Sequence, residues 1–423
     1  SRERAAMSAP HIAVVVQNAL LEMDLRPRRE AETLADAGYR VTLIGGTRSA
    51  EHVRELVAPS TAVESFTQPG DGRGVIGQIR EQGEALARAA AALRRACRRG
   101  PVAALHAANP PDNLFLLPPT LRWTQAHVPL FVFDQHDVAP VLLAEKFPQA
   151  GALPALSRAA TAMERQSFEA ASLVVFANEE FRARAHRERL PMRDAEVVAN
   201  GWSLPDIPAD PRWRHGVDRL IVYVGLIGEQ DNVDHLVDAI AALPDRRSLR
   251  VVVAGDGSAR ESAARRAFDL GLADTFEWLG AVKDRDRLAG LVNAADVCVA
   301  PEIDSQFNRL ATFVKVVEYM SLGAAVVAHR LPQTERLAGD TIAYAGDMSA
   351  ASLAAAISSL LESPDRARAL GAAARDRFDR RVDWRRAGGP RLVAAYDRLF
   401  GAPASRAPER DSRRLERPRA RLA

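Results

Sequence analysis

Short apolar runs alternate with helical patterns along most of this chain, and the alternation starts twice. In the first half, runs rich in Val, Ile, Leu and Phe predict buried strands at residues 12–16, 40–44, 102–106, 130–133 and 173–176. Helical patterns separate these runs at residues 28–37, 77–98, 112–125, 153–170 and 178–190. Such alternation indicates a parallel sheet covered on both faces, so we predict a doubly wound α/β domain.

The same pattern returns after residues 202–218, a proline-containing segment with little periodicity that predicts a linker. Strands are predicted at residues 220–224, 249–253, 275–278, 297–300 and 324–328. A helix is expected from Asn232, and closing helices at residues 352–361, 365–377 and 384–400. Two doubly wound domains joined by a linker create a cleft, and ligands of such sheets bind outside the carboxyl ends of the strands.

Composition narrows the class of protein. A hydrophobic content of 47% and a charged content of 26% are typical of a globular chain, and a net charge of only +3 does not indicate a dedicated nucleic-acid binder. The two cysteines, Cys97 and Cys298, have no disulfide or metal-ligand spacing. Residues 1–10 do not resemble a secretory signal, and no apolar run approaches the ~18 residues of a membrane span. We therefore expect a cytoplasmic location.

The segment 312–330 carries the most functional information. Its apolar residues repeat at helical spacing and predict one buried stripe, with Lys315 and Glu318 one turn apart on the exposed side. Gly323 fits a left-handed helix cap before the strand at 324–328. Lys315 is one of only three lysines, with Lys146 and Lys283. Two interpretations remain: a surface ion pair worth about 0.3–0.5 kcal/mol, or a functional pair.

A turn with two glycines, Gly225 and Gly228, lies between a predicted strand and the helix from Asn232. Free backbone N–H groups and the helix dipole at such a turn suit an anion, for example a diphosphate. The turn has neither the three-glycine dinucleotide fingerprint nor the phosphate-loop lysine, so a purely structural turn is the alternative.

Read together, these pieces resemble glycosyltransferase family 4, whose members have the GT-B fold of two Rossmann-like domains. The C-terminal matches occur in family order and at family spacing: Tyr223-Val224-Gly225, the helix from Asn232, residues 253–257, 270–272, 279–280 and 294–297, Phe307-Asn308, residues 315–320, Gly323 and residues 326–328. Looser N-terminal matches are residues 28–30, 38–42, 109–112, 133–137, 178–179 and 200–201. Together they cover nearly the whole chain before the tail.

The resemblance implies a domain organisation. It consists of a flexible N-terminus (1–10), an acceptor-side domain (11–201), the linker (202–218) and a nucleotide-sugar-binding domain (219–383). A closing helix (384–400) is expected to pack back on the first domain, followed by a disordered basic tail (401–423).

The resemblance also implies roles for individual residues. Glu318 would accept hydrogen bonds from the donor ribose hydroxyls, Lys315 would lie on the diphosphate side, and His136 would reach the donor sugar. These three are the predicted catalytic residues, with a histidine that only caps a loop as the alternative for His136. The predicted donor-binding set is Gly225, Gly228, Gly280, Val282, Asn308, Arg309, Thr312, Lys315 and Glu318. Asn109 and Asp112 are the predicted acceptor-side residues.

The sequence departs from the family pattern at three places. Leu310 stands where the family's first paired glutamate would be. The branch that this chain most resembles also lacks that glutamate. Leu226 and Asp231 lie near positions that are cationic in many members. We therefore expect backbone N–H groups, Lys315 and Arg309 to meet the phosphate charge.

The resemblance implies a retaining glycosyltransferase that moves a sugar from a nucleoside-diphosphate sugar to an acceptor hydroxyl, with no cofactor. The alternatives are a catalytically degenerate GT-B subunit that binds a nucleotide or a partner, and a nucleotide-sugar 2-epimerase. Arginines at 94, 95, 98 and 99 suggest weak peripheral contact with the inner face of a membrane, with a solvated helix end as the alternative. The sequence does not name the sugar, the base, the acceptor or the oligomeric state.

No Asp-x-Asp pair stands at a predicted strand end, so we expect sugar transfer without a metal ion. Transfer should keep its full rate in excess EDTA, measured beside the same reaction with added Mg²⁺ or Mn²⁺. Activity that disappears with the chelator and returns with the cation would contradict this expectation.

Overall fold

The computed structural model describes residues 9–70, 74–146 and 153–401. The expectations of a flexible N-terminus at 1–10 and a disordered tail at 401–423 fall almost entirely outside these residues. The chain divides into two compact units. Of the described residues, the first unit comprises those within 9–107, 116–131 and 392–401, and the second comprises those within 108–115 and 132–391.

The first unit is built on parallel strands. Its order is β3-β2-β1-β4, with β1 His11–Leu20, β2 Arg40–Thr47, β3 Thr61–Thr67 and β4 Ala104–Ala108. The helices are α1 Leu25–Asp36, α2 Ala50–Leu56 and α3 Gly74–Ala96. The Asp24 side chain caps α1 by accepting a hydrogen bond from the backbone N–H of Arg26, and Ser49 caps α2 through the N–H of His52.

The second unit begins with a set of three parallel strands, β5 Leu130–Gln135, β6 Leu173–Phe176 and β7 Ala195–Val197, in the order β5-β6-β7. The first two residues of β5 belong to the first unit. The helices of this part are α4 Ala139–Lys146, α5 Leu153–Ala170 and α6 Glu179–Arg187. Asn178 caps α6 by accepting from the N–H of Phe181.

The rest of the second unit is a six-stranded parallel sheet in the order β10-β9-β8-β11-β12-β13. Its strands are β8 Arg219–Val224, β9 Leu249–Ala254, β10 Phe276–Gly280, β11 Val297–Ala300, β12 Val326–Ala328 and β13 Ala343–Tyr344. Its helices are α7 Val233–Ala241, α8 Arg260–Asp269, α9 Arg285–Ala294, α10 Gln306–Leu310, α11 Val314–Leu322, α12 Pro332–Ala338, α13 Ala350–Leu361 and α14 Pro364–Arg381.

Strand β8 shows why this sheet must be covered on both faces. Ile221 and Tyr223 belong to one buried cluster, whereas Leu220, Val222 and Val224 belong to another. Alternate side chains of a strand point to opposite faces, so each face of the sheet has its own apolar core. The predicted doubly wound arrangement is confirmed.

Most predicted strands are confirmed, and those at residues 173–176 and 297–300 match at both ends. The predicted helix at 112–125 is wrong: short 3₁₀ turns at Leu114–Leu116 and Pro118–Trp123 occupy that stretch. Pro118 and Pro119 lack backbone N–H groups, so a regular helix cannot run through them. Among the described residues, no helix is long and apolar enough to cross a membrane.

The chain ends its described part with a π-helical turn at Trp384–Gly388 and the helix α15 Gly389–Phe400. The Tyr396 hydroxyl lies 2.8 Å from Nδ1 of His106, which is in β4. The Tyr39 hydroxyl donates to the Asp397 carboxylate at 2.6 Å. From Leu392 onward the last helix thus packs within the first unit, beside residues far earlier in the sequence.

Two histidines beside the six-stranded sheet form a partly buried contact. Nε2 of His235, in α7, lies 3.0 Å from Nε2 of His329, which directly follows β12. Nδ1 of His329 faces the carbonyl of Asp347 at 3.0 Å, so this nitrogen carries the hydrogen and Nε2 accepts from His235. Burial, and the neighbouring His235, lower the pKa of His329 to about 4.

This pair predicts acid-dependent loss of stability. The unfolded chain protonates His329 below about pH 6.5 while the folded chain does not, so unfolding is favoured as pH falls from about 6.5 toward 4. Between pH 7 and pH 5 this site should cost about 2 kcal/mol of unfolding free energy. Urea titrations at both pH values should show a smaller loss for His329→Gln. The control His52→Gln, which removes a half-exposed histidine, should behave as wild type; equal losses in all three proteins would contradict the prediction.

Candidate functional site

Lys315 lies in the first turn of α11, and its ammonium group is buried. Nζ donates to the Tyr223 hydroxyl at 2.9 Å, to Oδ1 of Asp231 at 3.0 Å and to Oε1 of Glu302. It also lies 4.6 Å from the centre of the Tyr223 ring. All three N–H donors of the ammonium group are therefore used within the chain. The two carboxylates outweigh burial and raise the pKa of Lys315, so it stays charged.

The expectation that Lys315 and Glu318 lie on an exposed helix face is wrong: they are only 6% and 7% exposed. They do not pair with each other in the way that the surface interpretation requires. Glu318 accepts instead from Arg285, in the first turn of α9, at 3.2 Å. Burial raises the pKa of Glu318, and Arg285 opposes that rise. Residues around the start of α11 and in β8 cover the face of the helix that carries Lys315 and Glu318. The helical pattern alone does not reveal this coverage. Gly323 does form the predicted left-handed cap, with φ +70°.

The turn Gly225–Gly228 is present at the carboxyl end of β8, but most of its N–H groups are occupied. Gly225 donates to the carbonyl of Ala254, Ile227 to that of Asp256, and Gly228 to the Asp231 carboxylate. The expectation of a row of free N–H groups is therefore wrong. The reason is a second turn, at residues 255–257, which packs directly against the first: a Cβ on Gly255 would lie 1.8 Å from the Gly225 carbonyl oxygen.

Gly225 also has to be glycine for a reason that concerns Lys315. Its φ is +152°, and a Cβ there would lie 2.7 Å from Cε of Lys315. The backbone of the turn thus lies against the lysine stem, so the structure brings together the predicted residues Gly225 and Lys315.

Two further predicted donor-site residues lie in or beside α10. Nδ2 of Asn308 donates to the carbonyls of Gln230 and Ile303 at 3.0 and 2.9 Å, which ties the first turn to the loop after β11. Arg309 is exposed and forms two hydrogen bonds with Asp304, at 2.5 and 2.6 Å. The charge of Arg309 is thus already compensated by Asp304, which has no predicted site role.

His136 follows β5, and an aspartate of the same strand orients it. Nε2 of His136 contacts Oδ2 of Asp134, which is fully buried. The two residues are two positions apart at the end of the strand, so both side chains point to the same side. An imidazole and a carboxylate are also among the ligands that divalent metal ions use, so the chelator experiment described above bears on this pair.

Asn109 and Asp112, the predicted acceptor-side residues, are buried and support the His136 loop. Oδ1 of Asn109 accepts from the backbone N–H groups of His136 at 2.6 Å and Asp137 at 3.1 Å. Its Nδ2 donates to Oδ1 of Asp112 at 2.7 Å. Burial raises the pKa of Asp112 to about 7, and the bond from Asn109 opposes that rise.

A cavity of about 270 Å³ in the second unit joins residues from both predicted domains. From the first predicted domain, His136 and Asn178 line it, and from the second, Leu310 and Thr312. Nδ2 of Asn178 donates to the Leu310 carbonyl at 3.0 Å and to the Thr312 hydroxyl at 3.1 Å. The backbone of Leu310, where the family's first glutamate would stand, is thus held by a direct link to α6.

The structure brings only some predicted residues to this cavity. His136 and Thr312 line it, whereas Gly280, Val282, Lys315 and Glu318 do not. Larger cavities of about 350 and 550 Å³ lie elsewhere in the described residues, and none of the predicted site residues lines them. Asp134, Tyr223, Glu302 and Arg285 have no predicted site role. Only Asp134, two positions before His136 in a predicted strand end, carried a usable signal.

Comparisons with known proteins agree with this architecture. Residues 23–201 match the family described as "Glycosyl transferase 4-like domain", and residues 218–363 match "Glycosyl transferases group 1". A GDP-mannose-dependent alpha-(1-6)-phosphatidylinositol dimannoside mannosyltransferase of Mycobacterium tuberculosis is 31% identical over 158 residues, which are 37% of this chain and 39% of that protein. An uncharacterized glycosyltransferase of Methanocaldococcus jannaschii is 29% identical over 110 residues, 26% of this chain and 27% of that protein. The matches thus span well under half the length of these curated relatives.

Solved structures extend the likeness of fold to nearly the whole chain. Sucrose-phosphate synthase from Thermosynechococcus elongatus has a TM-score of 0.70 at 19% identity, covering 93% of this chain and all of that one. HepE of Anabaena in complex with UDP has a TM-score of 0.61 at 14% identity, covering 93% and 98%. With both domain types matched in order, and with two sets of parallel strands covered by helices, the chain belongs to the family-4-like glycosyltransferases of the GT-B fold.

Proposed function

We propose that this protein is a retaining glycosyltransferase that moves a sugar from a nucleoside-diphosphate sugar to an acceptor hydroxyl. The observation that carries the proposal is the cavity in which His136, from one matched domain, and Thr312, from the other, lie together. The matched relative uses GDP-mannose, and HepE was solved with UDP and with UDP-glucose, so the donor class is proposed by likeness while the base is left open.

The proposed roles follow from the contacts of each residue. Glu318, buried in the middle of α11 and bonded to Arg285, would accept hydrogen bonds from the two ribose hydroxyls with its two oxygens. His136, held by Asp134 through one ring nitrogen and by Asn109 through its backbone, would present its other ring nitrogen toward the sugar. A carboxylate and an imidazole fixed in this way would hold the donor ribose and sugar in the orientation that the transfer requires.

In the proposed retaining reaction the acceptor hydroxyl attacks the face of the sugar that the diphosphate leaves. A leaving phosphate oxygen takes the acceptor proton, so no protein nucleophile or metal ion is required. A cavity lined from both matched domains would also limit water attack on the donor.

Neither the degenerate subunit nor the epimerase is favoured by the comparisons. Slow hydrolysis of a panel of UDP- and GDP-sugars, with thermal shift, tests the proposal; a protein that neither binds nor hydrolyses any of them would contradict it.

Glu318 tests the nucleotide half of the site. Glu318→Ala removes a carboxylate whose partner, Arg285, has a side chain 46% exposed, so the arginine can turn to water and folding should be spared. Losing a charged hydrogen-bond partner should weaken nucleoside diphosphate binding by about 1.5–3 kcal/mol in calorimetric titration. Glu335→Ala is the matched control, because it removes a carboxylate from an exposed ion pair with Arg330. Equal affinities for Glu318→Ala and wild type would refute the assigned role.

His136 tests the sugar half. His136→Gln keeps an N–H that can donate to the buried Asp134 carboxylate, so the fold should survive while the ring nitrogen is lost. Turnover at saturating donor should fall by roughly 10²–10³-fold, with nucleoside diphosphate affinity nearly unchanged. His186→Gln replaces an exposed histidine of α6 and should leave both quantities at wild-type values. Full turnover in His136→Gln would remove this residue from the mechanism.

A further inference from the structure

The cluster around Lys315 contains two carboxyl groups but only one ammonium group. One ammonium group faces two carboxylates, those of Asp231 and Glu302, and one phenol, that of Tyr223. All four residues are buried; Glu302 is 1% exposed and Asp231 is 8% exposed. One ammonium group can balance only one carboxylate, so a second ionised carboxylate here is a buried charge without a cation of its own. We call these four residues the Lys315 cluster.

Hydrogen bonds that involve the neighbouring backbone hold the two carboxylates in place. The Asp231 carboxylate also accepts from the N–H of Gly228, at 3.1 Å, which fixes its side of the turn. The loop that carries Glu302 is tied down at its next residue: the Ile303 N–H donates to Asn232 at 3.1 Å and its carbonyl accepts from Asn308. The lysine, with its flexible four-carbon stem, is thus the member of the cluster that can move.

A diphosphate that approached the Gly225–Gly228 turn would compete for this lysine. Every N–H of Lys315 is already donated, so a new bond to phosphate requires one of the present bonds to break. Breaking the bond to Glu302 leaves a fully buried carboxylate without its cation, beside a ligand that is itself anionic. That arrangement is unfavourable unless the carboxylate becomes neutral.

We propose that binding of the donor diphosphate is coupled to the uptake of one proton by the Lys315 cluster, with Glu302 as the acceptor. The inference rests on the proposed function, since it concerns the same donor site. In the step, Lys315 Nζ turns from Oε1 of Glu302 to a phosphate oxygen. The acid form of the buffer loses a proton, and this proton forms the new O–H bond on Glu302. No other bond is made or broken.

The surroundings support Glu302 as the acceptor. Burial raises the pKa of Glu302, and Lys315 is the main group that opposes the rise. The other groups that face it are Asp231 from the turn and the phenols of Tyr223 and Tyr319, from β8 and α11. Burial raises the pKa of both phenols, so they stay neutral in the working range. Withdrawal of the lysine therefore acts on Glu302 first.

Calorimetric titration of GDP and of UDP at pH 7.5, in two buffers of different ionisation enthalpy, measures the protons taken up. The terminal phosphate, with a pKa of ~6, is already ionised there. For the nucleotide that binds, wild type should take up close to one proton, and its affinity should fall by up to tenfold between pH 7 and pH 8. Glu302→Gln should bind more tightly, take up no proton and lose this pH dependence, because its neutral amide needs none.

Glu229→Gln is the matched control, since it removes an exposed carboxylate directly after Gly228 without touching Lys315; it should take up the proton as wild type does. Should Glu302→Gln fail to fold, Asp231→Asn removes the same surplus charge and should likewise abolish the uptake. Binding by wild type without proton uptake, or uptake that persists in Glu302→Gln, would overturn the inference while leaving the proposed function intact. Binding of neither nucleotide at any pH would instead count against the proposed function.

Discussion

A buried ammonium group with three acceptors holds together the candidate donor site. Lys315 draws to one point a residue of β8, the turn before α7, the loop after β11 and the first turn of α11. Removing the lysine would leave two buried carboxylates without a cation, a defect that typically costs about 3–5 kcal/mol. A loss of activity in a lysine-truncated variant would therefore not separate catalysis from folding, whereas a neutral replacement of one carboxylate does. The glycine at position 225 is part of the same constraint, because any side chain there would strike the lysine stem.

A second set of contacts, made by side-chain amides, organises the side of the cavity that carries His136. Asn109 uses both ends of its amide, one on the backbone of the His136 loop and one on Asp112. Asn178 does the same for the opposite wall, because its oxygen caps α6 while its nitrogen binds the Leu310 carbonyl and the Thr312 hydroxyl. The buried side-chain amides of Asn109 and Asn178 thus fix the backbone on both sides of the cavity, and this backbone positions His136 and Thr312. Positioning of this kind matters because catalysis by oriented donors is lost when geometry slips by an ångström.

The strand pattern could be predicted well wherever strands are buried on both faces. Residues 173–176 and 297–300 are continuous apolar runs, and both were delimited at both ends. The strands that escaped prediction are β3, β7 and β13, which lie at the ends of their strand orders and are only partly buried. A partly exposed edge strand needs little apolar sequence, so periodicity gives no signal there. The helix predicted at 112–125 is wrong for a different reason. The composition of this stretch suits a helix, but its two consecutive prolines prevent a regular one.

The sequence by itself determined the family, the two α/β halves, the residues at the strand ends and the glycine that ends α11, because these depend on local periodicity, turn chemistry and ordered motifs. Only the tertiary structure decided which groups are charged partners. Lys315 and Glu318, one helical turn apart, serve different neighbours, Glu302 and Arg285, and both are buried where a helical pattern predicted exposure. Burial and pairing depend on residues that are distant in the chain, and no local pattern records them. The charge balance of the site is for this reason a property of the fold.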